Sequence, residues 1–365
     1  MNEQEIPSEH STQQISHRFI EANGLRMHIA EQGEGPLVVL LHGFPEFWHS
    51  WKAQISALAE AGYHVVAPDQ RGYGQTDRPE ASSSYTTLHL IGDLVGLLDT
   101  LEEQQAVVVG HDWGANVAWH AALLRPDRFR AVASLSVPYV PRGPVTGPRA
   151  TQRPTEAMRQ LVGNQFFYQL YFQEPGVAEA ELERDVRSTL RRMYYGLSGD
   201  TPPAERWHPI LPDPQSTMLN TISDTVPLPS WLSEEDFNLA VETFQHTGFR
   251  GGLNWYRAMD LSWELLAPFS KGKITQPALF LWGDQDPTLE ITGMGKRIER
   301  MSEVVPQLRS TTITGAGHWV QQEYANEVNA ALLTFLSGVV EQTDKRATTR
   351  VAPYYTKHVQ DVERV

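Results

Sequence analysis

Apolar residues follow two different periods along this chain, and the change from one to the other divides it. From 17 to 33, apolar and polar positions alternate around Asn23-Gly24, a dipeptide that supplies the positive φ angles of a tight hairpin. Two antiparallel edge strands are predicted there. Short continuous apolar runs follow: Leu37 to Gly43, His64 to Asp69, Ala106 to Gly110, Ala131 to Val137, Ala278 to Gly283 and Ser310 to Thr314. Runs without alternation belong to strands covered on both faces. Helix-length patterns, such as Leu88 to Leu101 and Asn116 to Leu124, fall between several of them. The expected architecture is therefore α/β, with a mostly parallel, doubly wound sheet.

The repeat breaks after Val137, where Pro138, Pro141, Pro144, Pro148 and Pro154 crowd together with Gly143 and Gly147. From about 155 to 267 the text is helical. Val177 to Leu197 is rich in Ala, Glu, Leu and Arg, Ser233 with Asp236 resembles a capping box, and Leu253 to Leu266 follows. Because strands resume at Ala278, residues 141–267 are read as an inserted helical lid on a core formed by 16–140 and 268–340. A lid in that position covers the carboxyl ends of the strands, where open α/β sheets bind ligands. The polar ends, 1–15 and 341–365, are expected to be tails.

Composition narrows the function. With 365 residues, 41% of them apolar, the chain can bury a large core, yet its longest apolar runs are strand-sized. A membrane span needs roughly 18 or more consecutive apolar residues, so none is expected. The acidic, polar start lacks the pattern of a secretory signal, which points to the cytoplasm. A formal charge of −14 disfavours nucleic acid as a partner, and the absence of cysteine excludes disulfides and thiolate chemistry. Neither a metal-ligand spacing of His and carboxylates nor a phosphate-cradling glycine loop is present, so no metal and no cofactor is expected. A small neutral molecule is the expected ligand, handled by a monomer or homodimer.

The candidate chemistry begins after the strand Ala106 to Val109, with Gly110-His111-Asp112-Trp113-Gly114 leading into a helical pattern near Ala115. Glycines on both sides let the chain turn sharply and present the central side chain above the sheet, beside a helix N-terminus. That side chain is a carboxylate. Attack by a carboxylate on saturated carbon gives an ester that water can cleave, whereas a serine would give an unreactive ether. His42-Gly43-Phe44-Pro45, after another strand, supplies an oxyanion-hole candidate: the backbone N–H groups of Phe44 and Trp113. Further on, Asp286 and then His318, in Gly315-Ala316-Gly317-His318, complete the order nucleophile, acid, histidine. His318 would activate water and Asp286 would orient it, with Asp284 the competing acid.

These residues resemble the α/β-hydrolase superfamily, and within it the soluble epoxide hydrolases, over nearly the whole length from about 17 to 340. Asp69-Gln70-Arg71-Gly72-Tyr73-Gly74 is similar to the family's loop after the fourth strand. Two lid segments, Phe166 to Gly176 and Gly248 to Arg257, also match. The resemblance implies that one tyrosine from each, Tyr168 and Tyr256, hydrogen-bonds the epoxide oxygen, with Tyr171 as the competitor in the first segment. Phenols, with pKa about 10, stay protonated at neutral pH and can donate to the opening ring. Phe166, Gln169, Phe172 and Trp319 become candidates for lining the substrate pocket, and a small apolar epoxide becomes the expected substrate. A haloalkane or haloacid dehalogenase shares the aspartate and histidine, but many haloalkane enzymes place Asn where this chain has Phe44, and haloacid enzymes carry arginines after the nucleophile. A hydrolase-fold receptor without turnover is the remaining alternative.

Overall fold

The computed structural model describes residues 14–142, 152–224, 226–291 and 294–350, with side chains through 340 apart from that of Glu290. Most of the two expected tails, and the Pro144 and Pro148 part of the linker, lie outside these residues. Among the described residues there are ten strands. Asn23 and Gly24, at φ 52° and 75°, turn the hairpin between β1 (Ser16–Ala22) and β2 (Leu25–Gln32). β3 (Leu37–Leu41), β4 (His64–Pro68), β5 (Ala106–His111) and β6 (Phe129–Leu135) follow, then β7 (Phe166–Phe167) and β8 (Ile210–Leu211). β9 (Ala278–Gly283) and β10 (Leu308–Ile313) close the series. Eight of them form one sheet in the order β1-β2-β4-β3-β5-β6-β9-β10. Pairing is antiparallel from β1 through β2 to β4 and parallel across the rest.

Every residue of β3 and β5 is buried, as strands covered on both faces must be. Helices Lys52–Glu60 and Ala325–Arg350 pack on one face around Trp51, Ile55, Leu58, Val328 and Leu332. Thr87–Thr100 and Trp113–Leu124 cover the other through Leu94, Leu97, Val117, Ala118 and Ala121. The second layer is continuous with the apolar interior of the lid, including Phe172, Phe249, Leu253 and Trp255. Between β3 and β5 the winding direction reverses, so the loops after those two strands diverge and leave a crevice.

Local sequence placed most elements within a few residues, and the departures have local causes. The run Val177 to Leu197 forms two helices, Val177–Leu182 and Val186–Gly196, because Asp185 leaves helical geometry and caps the second by accepting the Ser188 amide. Leu253 to Leu266 is likewise split, into Arg250–Arg257 and Met259–Leu265. Ser233 does cap helix Glu234–Thr247 through the Asp236 amide, but the Asp236 carboxylate turns to His49 and Lys52 of the core. The final helix runs on to Arg350, past the boundary expected at 340. The β7–β8 ladder gives the lid a short two-stranded sheet where helices alone were expected.

Candidate active site

Asp112 sits between β5 and helix Trp113–Leu124 at φ 50° and ψ −117°, a strained conformation for a residue with a side chain. Its surroundings enforce it. A Cβ on Gly110 would stand 2.1 Å from the Gly114 carbonyl oxygen, one on Gly114 2.1 Å from that of Leu41, and one on Gly43 2.4 Å from the Asp112 Cβ. Backbone from β3 and β5 therefore closes around the turn and leaves the carboxylate facing the crevice, 18% exposed. The Phe44 amide donates to Asp112 Oδ1 at 2.8 Å, while Oδ2 lies 3.6 Å from His318 Nε2. The Trp113 amide follows at the first position of the helix.

His318 Nδ1 bonds Asp286 Oδ2 at 3.0 Å, and Asp286 Oδ1 accepts the Thr288 amide at 2.8 Å. The two side chains are almost fully buried. Asp284, by contrast, is exposed and accepts the Gly315 amide, so it turns away from the histidine. Burial opposes ionisation of Asp112, but the His318 charge and the Phe44 amide outweigh it and hold the carboxyl below its ordinary value. For His318, burial pulls downward, and the carboxylates of Asp286 and Asp112 more than reverse it, leaving the imidazole well above its ordinary value. The two carboxylates thus favour the protonated imidazole.

Above this group, Tyr168 and Tyr256 come together with ring centres 6.1 Å apart. Tyr256 is buried against Phe44, Trp113 and Phe172, at 5.7, 5.0 and 5.0 Å between ring centres. Tyr168 stands against Phe172 and Trp207, and Gln169 Nε2 donates to its hydroxyl at 2.8 Å. Burial, with the nearby charge of Asp112 adding to it, pushes both phenols above their ordinary value. Gln173 ties the segments by donating to the carbonyls of Gln169 and Tyr256, and Arg257 adds a bond to the Phe172 carbonyl. Below Tyr256, the lid helix rests on the core loop so closely that a Cβ on Gly251 would stand 1.9 Å from the Gly72 oxygen. The Tyr171 hydroxyl is occupied elsewhere, donating to Glu181 at 3.0 Å.

Of the pocket candidates, Phe172 touches the tyrosine pair, whereas the Phe166 ring packs on Tyr171. Trp319 is buried beside His318 and donates its indole N–H to the Tyr194 carbonyl. Sequence reasoning passed over the groups that hold the histidine loop. The His318 carbonyl accepts from Ser136 Oγ and faces His111 Nε2, both at 2.8 Å, and His111 Nδ1 is paired with buried Glu46 at 2.7 Å. Glu323 takes the amides on either side of His318. Glu46, next after the His-Gly-Phe-Pro stretch, and His111, inside the turn that carries Asp112, were the groups with a positional signal.

The family model for the α/β-hydrolase fold matches residues 36–324. The chain is 48% identical to epoxide hydrolase A of Mycobacterium tuberculosis, over 88% of this chain and 97% of that one. It is 41% identical to epoxide hydrolase 1 of Siraitia grosvenorii, over 89% and 99%. Among solved structures, epoxide hydrolase A from Mycobacterium thermoresistibile superposes with a TM-score of 0.82 at 50% identity, covering 89% of this chain and 99% of that one. Potato (Solanum tuberosum) epoxide hydrolase I does so with 0.80 at 36% identity, covering 89% and 100%.

Proposed function

The chain belongs to the epoxide hydrolases of the α/β-hydrolase superfamily, and on that premise we propose that Asp112 opens the epoxide and His318 completes its hydrolysis. The observation that carries this reading is the Asp112 carboxylate held by Phe44 on one oxygen and open toward His318 on the other. Oδ2 attacks an epoxide carbon from the side opposite the C–O bond. The breaking bond leaves its electron pair on oxygen, which Tyr168 and Tyr256 bind through their hydroxyls and protonate. The result is a hydroxyalkyl ester on Asp112. Ester formation removes the Asp112 charge, one of the two that favour the proton on His318; the histidine gives that proton up, its equivalent returning to the phenol that protonated the alkoxide, and the neutral imidazole can then act as a base.

In the second stage His318, oriented by Asp286, takes a proton from water as it attacks the ester carbonyl. Negative charge gathers on Oδ1, where the Phe44 amide already points and the Trp113 amide joins it. Collapse breaks the bond between the carboxyl carbon and Oδ2, which leaves as the second hydroxyl of the vicinal diol with the proton from His318, and the new carboxyl returns its proton to the imidazole, restoring the carboxylate. The aromatic, uncharged wall of Phe44, Trp113 and Phe172 favours a neutral apolar epoxide. With proton donors in place of a halide-binding Asn at Phe44, dehalogenation is not favoured.

One experiment tests the scheme: a single turnover of excess enzyme on styrene oxide in oxygen-18 water, with mass analysis of diol and protein. An unlabelled first diol and label in the Asp112 peptide are expected. A labelled first diol would mean that water attacks directly, removing Asp112 as nucleophile.

A further inference from the structure

Glu323 is a buried carboxylate that takes no part in the chemistry above, although it grips the chain on both sides of the base. It ends the short helix Val320–Glu323. Its Oε2 accepts the amides of Gly317 at 2.9 Å and Gly199 at 2.8 Å, with the Ser198 hydroxyl at 3.5 Å, while Oε1 accepts the Trp319 amide at 3.0 Å. Gly317 and Trp319 flank His318; Ser198 and Gly199 come from the insertion between β6 and β9. The same two stretches also meet directly. The His318 amide donates to the Leu197 carbonyl at 2.8 Å. A Cβ on Gly199 would stand 2.1 Å from the Gly315 oxygen, and one on Gly317 2.2 Å from the Gly199 nitrogen. Backbone lies on backbone there, so the seat of the lid and the position of the base are one arrangement.

We propose that Glu323 is a positioning residue for ester hydrolysis: its ionised carboxylate joins both flanks of His318 to the lid at Ser198 and Gly199 and thereby fixes the imidazole for water activation. The inference rests on His318 being the base. An ionised carboxylate accepts at every lone pair and satisfies three amides at once; once protonated, one oxygen carries an O–H that must turn away from an N–H, and a bond is lost. The groups facing it are these amides and the Ser198 hydroxyl, itself an acceptor for the Trp231 indole and the Asp200 amide. Asp286 supplies a like charge nearby, and no ion pair joins Glu323 to a cation among the described residues. Burial, resisted by the three amides and assisted by Asp286, pushes its carboxyl up to about 7. Full alignment of His318 thus requires Glu323 to lose a proton near neutrality. Ester hydrolysis then depends on two deprotonations, Glu323 and His318, whereas ring opening depends on neither.

The test follows ester formation and ester decay separately, by rapid quench with styrene oxide, in wild type and in full-length Glu323→Gln across the acid and neutral range. The variant is expected to form the ester within about 2-fold of the wild-type rate and to hydrolyse it about 10-fold or more slowly, on the scale of a misplaced general base. Its acid limb should fall with one proton where the wild type falls with two, and Glu323→Asp, which keeps the charge, should restore the two-proton limb. Ester decay at the wild-type rate overturns the proposal, as does an equal fall in both rates, which marks general loss of structure. Should the variants fail to fold, a one-proton limb for ester decay in the wild type overturns it alone. If no ester forms in the wild type, the fault lies with Asp112 as nucleophile rather than with Glu323.

Discussion

Asp112 and His318 lie 3.6 Å apart, each favouring the charged form of the other, and in the proposed scheme ring opening removes the charge of Asp112. The two half-reactions therefore respond differently to pH. Ester formation needs ionised Asp112, whose carboxyl lies below the ordinary value, so that step persists as the pH falls. Ester hydrolysis needs neutral His318, whose proton Asp286 still favours, so that step declines as the pH falls. Rapid quench in acid should find the alkylated protein accumulating, and equal accumulation at alkaline pH would contradict the assignment. Tyr168 and Tyr256, both raised by burial, remain donors throughout this range. Tyr168→Phe and Tyr256→Phe are each expected to slow ester formation by about 10- to 100-fold, and the double variant by about 1,000-fold or more, leaving decay of any preformed ester intact. Burst kinetics on styrene oxide separate the two effects.

Helix Arg250–Arg257 lies backbone against backbone on the core where Gly251 meets Gly72, and this is where an element-level change should act on chemistry. A methyl group at Gly251 would have to displace the Gly72 loop or lift the helix, because the approach of 1.9 Å leaves no space. Gly251→Ala is expected to destabilise the fold by about 1–3 kcal/mol, the usual range for overpacking. It should also slow ester formation more than ester decay, since Tyr256 rides on the lifted helix. Chemical denaturation together with the two rates checks this; a stability loss with both rates preserved would show that the loop yields instead. At this scale the elements were largely legible in the sequence: continuous apolar runs mark strands covered twice, and Gly-x-Asp-x-Gly marks the turn. The breaks at Asp185 and Ala258 were not, because a good helix former stays in a helix only where its neighbours allow.

In the molecule as a whole, one buried ion pair joins hairpin, core and lid. Arg71 bonds Asp93 through Nε at 2.8 Å and Nη2 at 2.6 Å; Asn23 of the hairpin also donates to Asp93, and the Trp255 indole of the lid donates to the Arg71 carbonyl. Removing one partner strands the other charge in the interior. Asp93→Asn is expected to cost about 3–5 kcal/mol, read from the urea midpoint. The catalytic charges have a global signature too. His318 has a folded-state pKa raised above its unfolded value, so its contribution to stability is complete below about 6.5 and is lost as the pH rises through the raised value. Between neutral and alkaline pH the melting temperature of the wild type should fall further than that of His318→Gln, and parallel curves would mean that the pair does not stabilise the fold.

Sequence by itself determined the covered strands, the turn that presents Asp112 and the order of acid and histidine behind it, because each is a local matter: apolar spacing, glycine on both sides of a carboxylate, a polar residue at a strand end. The two tyrosines were legible only through the resemblance to a family, since twelve tyrosines offer no local reason to choose two. Tertiary structure decided what needs residues remote in the chain. Glu46 reaches His111 across 65 positions and Ser136 reaches the His318 carbonyl across 182, and Glu323 meets Gly199 across 124. A buried polar group must find a partner wherever the fold brings one, and the spacing of residues along the chain does not record which one that is.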